Sequence, residues 1–142
     1  MTTSLSPQDA LVAVMIATSA ADENQTTREL LSIEQQIDSL PAFGDYDKDR
    51  IPEVSRVVME LFSEEDGIDA LLGLVADALP GRFNETAYAL ACDVAAADKL
   101  VSIYELRFLE MLRHDLRVGR LAAAAIERGA RARHQRIAPQ GA

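Results

Sequence analysis

An internal repeat is the feature of this sequence that most constrains its fold. Residues 11–40 align without gaps on residues 87–116. Both copies read as an apolar helix, Ala-Ala-Asp, a short spacer, a Thr or Ser cap, and a Glu three residues after that cap. The repeat predicts two related helical hairpins. The identical pairs are Ala13/Ala89, Ala20/Ala96, Ala21/Ala97, Asp22/Asp98, Glu29/Glu105, Leu30/Leu106, Glu34/Glu110 and Leu40/Leu116.

Helix signals also cover the rest of the chain, and strand signals are nearly absent. Ser6 and Pro7 are typical of a helix start, and Pro41 and Pro80-Gly81 are typical of helix ends. We predict one all-α domain over residues 1–142, a compact seven-helix bundle. It has pseudo-symmetric hairpins at about 7–40 and 84–116, middle helices between them, and a basic helix at about 120–134.

The helices that precede each Ala-Ala-Asp motif are apolar nearly all round. They span residues 10–21 and 87–97 and are rich in alanine. Such helices belong in the interior, and small side chains let two backbones approach closely. We therefore expect these two helices to pack against each other at the centre of the fold.

The charge of the chain is unevenly distributed and restricts its partners. Residues 1–110 hold 21 acids and 7 bases, whereas residues 111–142 hold 2 acids and 7 bases. An acidic body repels phosphates, so nucleic acid is not an expected partner. The basic tail lacks Trp and Phe, so membrane contact would be peripheral at most. The tail arginines predict docking on the acidic body, self-association or contact with another protein.

The second copy of the repeat carries a resemblance to a known family. Residues 90–98 (LACDVAAAD), followed by Ser102-Ile103-Tyr104-Glu105 and a leucine-rich helix, resemble the signature of the tellurite-resistance TerB family. The first copy fits the duplicated architecture of that family, although Glu23 and Lys99 stand where the family has glycine. The resemblance implies a seven-helix bundle, a role in stress resistance alongside other stress-response proteins, and divalent-cation binding through acids.

The acids of the two hairpins are the candidate ligands for that cation, which would be Ca²⁺, Mg²⁺ or Mn²⁺. They are Asp22, Glu29, Asp98 and Glu105. A structural role also explains their spacing, because each Glu completes a capping box and each Asp caps a turn. One Asp and one Glu would also need further oxygen ligands to hold such a cation.

Asp93 is the fifth candidate ligand, and it lies inside the most apolar helix. A buried carboxylate must be paired, hydrogen-bonded, protonated or metal-bound, because bare burial is costly. It is therefore either a functional residue, or an exposed acid, or the partner of Arg82 or Arg107 in an ion pair.

The remaining motifs indicate a binding protein rather than an enzyme. The acidic run 45–49 (DYDKD) lacks the glycine and the final glutamate of a calcium loop, so we predict a solvated loop. Cys92, the single cysteine, lies among apolar residues and is expected to be a buried, inert thiol. The sequence contains no nucleophile–base grouping and no phosphate loop. The apolar stretch 11–21 is too short to span a membrane and follows Asp9, so a cytoplasmic location is expected.

Overall fold

A computed structural model describes residues 4–21, 27–97 and 101–137. Within these ranges the chain forms seven α-helices and no strand, which confirms the all-α prediction. Three single-turn 3-10 helices lie at Pro41–Phe43, Lys48–Arg50 and Gly81–Phe83. The α-helices are α1 (Pro7–Ala20), α2 (Thr27–Ser39), α3 (Ile51–Phe62), α4 (Gly67–Ala78), α5 (Asn84–Ala96), α6 (Ile103–Asp115) and α7 (Arg120–Arg133).

Capping boxes fix the start of α1 and of α6. The Ser6 hydroxyl accepts from the Asp9 N–H at 3.0 Å, and the Asp9 carboxylate accepts from the Ser6 N–H at 3.1 Å. Ser102 and Glu105 make the same reciprocal pair at 3.1 and 3.2 Å, as predicted. Each box satisfies two backbone donors that a helix start otherwise leaves unbonded. The cap predicted for α2, at residue 26, lies outside the described residues.

The first helix forms the centre of the core. Every residue from Asp9 to Ser19 is buried, because α1 is surrounded by α2, α3, α4, α5 and α6. Its pairing with α5 confirms that the two alanine-rich helices meet in the interior. One continuous apolar cluster includes residues of all seven helices. Each fully buried Leu, Val, Ile or Met contributes about 1.5–3 kcal/mol to stability.

A close backbone approach joins α3 to α4. Gly67 begins α4 directly above the last turn of α3, and its N–H donates to the Glu64 carbonyl at 3.2 Å. A Cβ atom at this position would lie 1.6 Å from the carbonyl oxygen of Leu61. No side chain fits in that space, so the turn between the two helices requires glycine.

The end of α6 turns the chain towards α7. The Val118 N–H donates to the Arg113 carbonyl at 3.0 Å, and the Arg117 N–H donates to the His114 carbonyl at 3.1 Å, which is a Schellman motif. Arg117 occupies its left-handed position with φ of 56°. The Asn84 side-chain amide also donates to the Leu116 carbonyl at 2.9 Å, which ties this turn to the start of α5.

The last two helices both pack against α5 and border a groove whose floor is α5. Their separation leaves part of α5 uncovered and creates the candidate site described below. No helix in the described ranges combines the length and the hydropathy needed to cross a bilayer.

Candidate functional site

A groove of about 460 Å³ lies between α6 and α7, with α5 as its floor. Its volume falls within the range of about 300–1,000 Å³ that is typical of ligand sites. One face of α5 forms the floor, with side chains one or two turns apart, and the other two helices form the walls. The main lining residues are Tyr88, Cys92, Ala95 and Ala96 on the floor, Leu106, Leu109, Glu110 and Arg113 on α6, and Glu127, Ala130 and Arg131 on α7.

One end of the groove is apolar and continues onto the protein surface. Leu106 on the α6 wall is 56% exposed, although the helix buries its other leucines. Val101 also lines this end, and Ile103 and Tyr104 beside it are exposed as well. Apolar side chains that cluster on a surface are typical of a binding region.

Exposed arginines lie on the helix that forms the α7 wall. Arg131 lines it, and Arg120 and Arg128 are exposed on the same helix. Within the described part of the chain, none of these three forms an ion pair, and neither does Arg113 on the opposite wall. These guanidinium groups are available to a ligand with negative charge.

Glu127, the acid of the α7 wall, already accepts a hydrogen bond within the protein. The Tyr88 hydroxyl donates to the Glu127 carboxylate at 2.6 Å across the α5–α7 interface. Burial and this hydrogen bond raise the pKa of Tyr88 well above its ordinary value, so the phenol stays protonated. The pair holds α7 on α5 and places a polar group on the groove floor.

Asp93 joins the same two helices at the far end of α7. Its Oδ1 atom accepts from Arg133 at 2.7 Å (Nη2) and 3.2 Å (Nε), and His134 Nε2 lies 3.4 Å away. The carboxylate is half-buried and ion-paired, as one alternative proposed, but its partner is neither Arg82 nor Arg107. A cation at Oδ1 would have to displace this guanidinium group, so the observed contacts account for Asp93 without a cation.

The other predicted ligands lie on separate elements. Glu29 on α2 and Glu105 on α6 are both buried, and Glu105 closes its capping box. Asp22 and Asp98 lie outside the described residues. Among the residues that the structure describes, no three acid, histidine or cysteine side chains lie close enough together to hold a metal ion. Cation binding therefore stays a prediction.

A buried acid that the sequence did not single out is Asp9. Besides its capping role, its carboxylate accepts from the Arg50 guanidinium at 2.8 Å and from the Tyr46 hydroxyl at 2.9 Å. Burial raises the pKa of Asp9, but the contacts with Arg50, Ser6 and Tyr46 outweigh burial and lower it overall. The acids of the 45–49 loop are exposed, as predicted, whereas Tyr46 turns inward and fastens the loop to α1.

Cys92 is buried on the groove floor, as expected. Burial raises the pKa of the thiol to about 12, so little thiolate forms at neutral pH. A nucleophilic cysteine needs the opposite shift. The thiol therefore contributes apolar surface to the groove.

These features define an all-helical protein with a groove that is apolar at one end and carries one arginine on each wall, Arg113 and Arg131, beside the acids Glu110 and Glu127. No protein-family model, curated protein or solved structure matches the chain. The kinship with the TerB family therefore stays a prediction.

Proposed function

We propose that this protein is a TerB-like, cytoplasmic stress-response accessory module that binds a helix of a partner protein between α6 and α7. Its role is binding rather than catalysis. The observation that carries the proposal is the groove itself, in which an apolar end lies beside arginines that have no carboxylate partner among the described residues.

The shape of the groove suits a helix. Leu106, Leu109 and Arg113 follow one another at helical spacing on one wall, and their ridge can pack against a neighbouring helix. A groove between two helices can bind an amphipathic helix of a partner. The apolar residues at positions i, i+3, i+4 and i+7 of the partner helix then pack into the groove. The groove is also partly open to solvent, so a helix can enter it from outside.

The charged residues of the groove determine which residues should border the apolar stripe of the partner helix. Arg131 lines the α7 wall and Arg113 lies across from it, while Arg128 is exposed on the same helix as Arg131. Glu110 also lines the α6 wall, so the acids of a partner must lie towards the arginines and away from this residue. A partner with an apolar stripe flanked by Asp or Glu would bury its stripe and pair its acids with these groups. A partner flanked by Lys would meet like charge.

Binding of a designed peptide tests the proposal. The probe is a fluorescein-labelled amphipathic helix of about sixteen residues, long enough for about four turns, with Leu anchors and Glu flanks. A matched peptide carries Lys in place of Glu. Fluorescence anisotropy should show binding of the Glu peptide and at least about tenfold weaker binding of the Lys peptide, a difference of about 1.4 kcal/mol.

Two matched variants test whether the Glu peptide binds in the groove. Ala96→Trp fills the apolar end of the groove, whereas Ala76→Trp adds the same ring to an exposed position of α4. Binding of the Glu peptide should fall in the first variant and stay at the wild-type level in the second. Equal binding by both variants would place the peptide elsewhere and reject the groove.

A divalent cation is the second ligand that the family resemblance implies. Glu29 and Glu105, which are buried at equivalent positions of the repeat, are described residues to which the resemblance assigns this role. Calorimetric titration of the wild-type protein with Ca²⁺, Mg²⁺ and Mn²⁺ at neutral pH tests this role. Absence of binding up to about 1 mM cation, which corresponds to about −4 kcal/mol, would remove it.

A further inference from the structure

The exposed face of α2 has the chemistry that the groove requires. Leu30 is 45% exposed and Leu31 is 50% exposed, next to each other at the start of the helix. Glu34 and Asp38 follow one and two turns later on the same exposed side. Leu30 is also the repeat equivalent of Leu106, the exposed leucine of the groove. The face is therefore a short apolar patch followed by acids.

The two surfaces also match in length. Along α6, the step from Leu106 to Arg113 spans seven residues, or about 10 Å at 1.5 Å per residue. Along α2, the step from Leu30 to Asp38 spans eight residues, or about 12 Å. When the α2 leucines lie against the apolar end of the groove, Asp38 comes level with Arg113. Glu34 comes level with Glu110 of α6, so it must face Arg131 on the α7 wall.

We propose that α2 of one copy of this protein docks in the α6/α7 groove of a second copy. The inference rests on the proposed function and names its partner. Leu30 and Leu31 fill the apolar end beside Ala96 and Leu106. Glu34 pairs with Arg131 of the α7 wall, and Asp38 pairs with Arg113 of the α6 wall. Asp38 already pairs with Lys48 at 2.7 Å, but both side chains are exposed, so that contact can exchange for a new one.

Charge distribution supports a second copy as the partner. The acidic body and the basic C-terminal part of one chain carry opposite charge, so two copies attract when the body of one meets the tail of the other. Exposed pairs of this kind weaken as salt rises, because the Debye length shrinks to about 3 Å at 1 M ionic strength. Self-association should therefore weaken with added NaCl.

The contact joins two different surfaces, so each copy has one α2 face and one groove. A contact of this type is heterologous, and it either closes into a ring or adds copies in a row. It also permits complementation between two variants, each of which has lost a different surface.

Sedimentation velocity of the full-length protein tests the proposal. Wild-type protein should show a weight-average mass that rises between about 1 μM and 1 mM and falls with added salt. Leu31→Arg disrupts the apolar patch of α2, and Ala96→Trp blocks the groove. Each of these variants should be monomeric. An equimolar mixture should form a 1:1 complex, because each variant retains the surface that the other has lost. Met59→Arg, at an exposed apolar position of α3, should associate like the wild type.

The possible outcomes distinguish this inference from the proposed function on which it rests. A wild-type protein that stays monomeric at about 1 mM but binds the Glu peptide overturns self-association and leaves the groove function intact. Self-association that persists in both variants, or a mixture that remains monomeric, also overturns it. If neither the peptide nor a second copy binds, both proposals fail.

Discussion

Replacement of Gly67 by alanine should destabilise the fold severely, although the change adds one methyl group. The new Cβ atom would lie 1.6 Å from the Leu61 carbonyl oxygen and 2.5 Å from its carbonyl carbon. Even a close contact between carbon and a carbonyl oxygen is about 3.3 Å, so the two backbones must separate by about 1.7 Å. Neither atom belongs to a flexible side chain, so the shift disturbs the packing of α3 against α4.

The expected cost is about 3 kcal/mol, at the upper end for an inserted methyl group in a packed site. For a chain of this size, that corresponds to a fall in Tm of roughly 10 °C. Urea denaturation and thermal melting followed by circular dichroism would measure both values.

Gly73 provides a matched control on the same helix. A Cβ atom there meets nothing within 4 Å, and the residue is exposed in the middle of α4. Gly73→Ala should therefore stabilise the protein by about 0.5–1 kcal/mol through helix propensity. If Gly67→Ala were as stable as Gly73→Ala, the close approach of α3 and α4 would be refuted.

Three further predictions follow from contacts described above. Arg117→Gly should stabilise the protein by about 0.5–1 kcal/mol, because glycine adopts the left-handed turn without strain; an unchanged urea midpoint would contradict this. Asp9→Asn should cost about 1–3 kcal/mol at pH 7, since it weakens a buried ion pair and its capping box. Because the pKa of Asp9 is lowered in the native state, its stabilisation is present above about pH 4, the ordinary Asp value, and is lost as the pH falls below it. Urea unfolding should therefore show a smaller difference between wild type and variant at pH 2.5 than at pH 7, and a constant difference would disprove the linkage. Asp93→Asn should cost about 1 kcal/mol or less of stability, because Arg133 is largely exposed. It should also speed amide hydrogen exchange in the last turns of α7. Unchanged exchange there would show that the ion pair does not hold the helix.

Helix positions could be predicted from sequence because their signals are local. Ser6 with Pro7 marks one start, and Ser102 with Glu105 marks another, within four residues in each case. The central pairing of α1 and α5 was also predictable, since both helices lack a polar face and neither can lie on the surface.

The contacts between distant elements could not be predicted in the same way. Asp93 was recognised as an acid that needs a partner, but Arg133 lies forty residues away and other arginines are nearer in sequence. Asp9 was recognised only as an acid before the apolar stretch, although Arg50 and Tyr46 complete its environment from a loop. Such pairings depend on how helices are placed, and no local pattern encodes that.

The groove was missed for a related reason. Each of its walls has an ordinary helical pattern, and Leu106 has the spacing of a core leucine. The separation of α6 from α7 nevertheless leaves it exposed. A signal was present in the tail arginines, which exceed what the end of one helix needs, but their position beside an apolar cleft required the fold.

The single thiol on the groove floor makes the native protein its own reporter. Its raised pKa and burial should make the reaction of Cys92 with a disulfide reagent slow. The reaction rate then measures how often the thiol becomes accessible, and a peptide or a second copy seated above the thiol would slow it further. Occupancy of the groove can thus be followed on unmodified protein, with no introduced label.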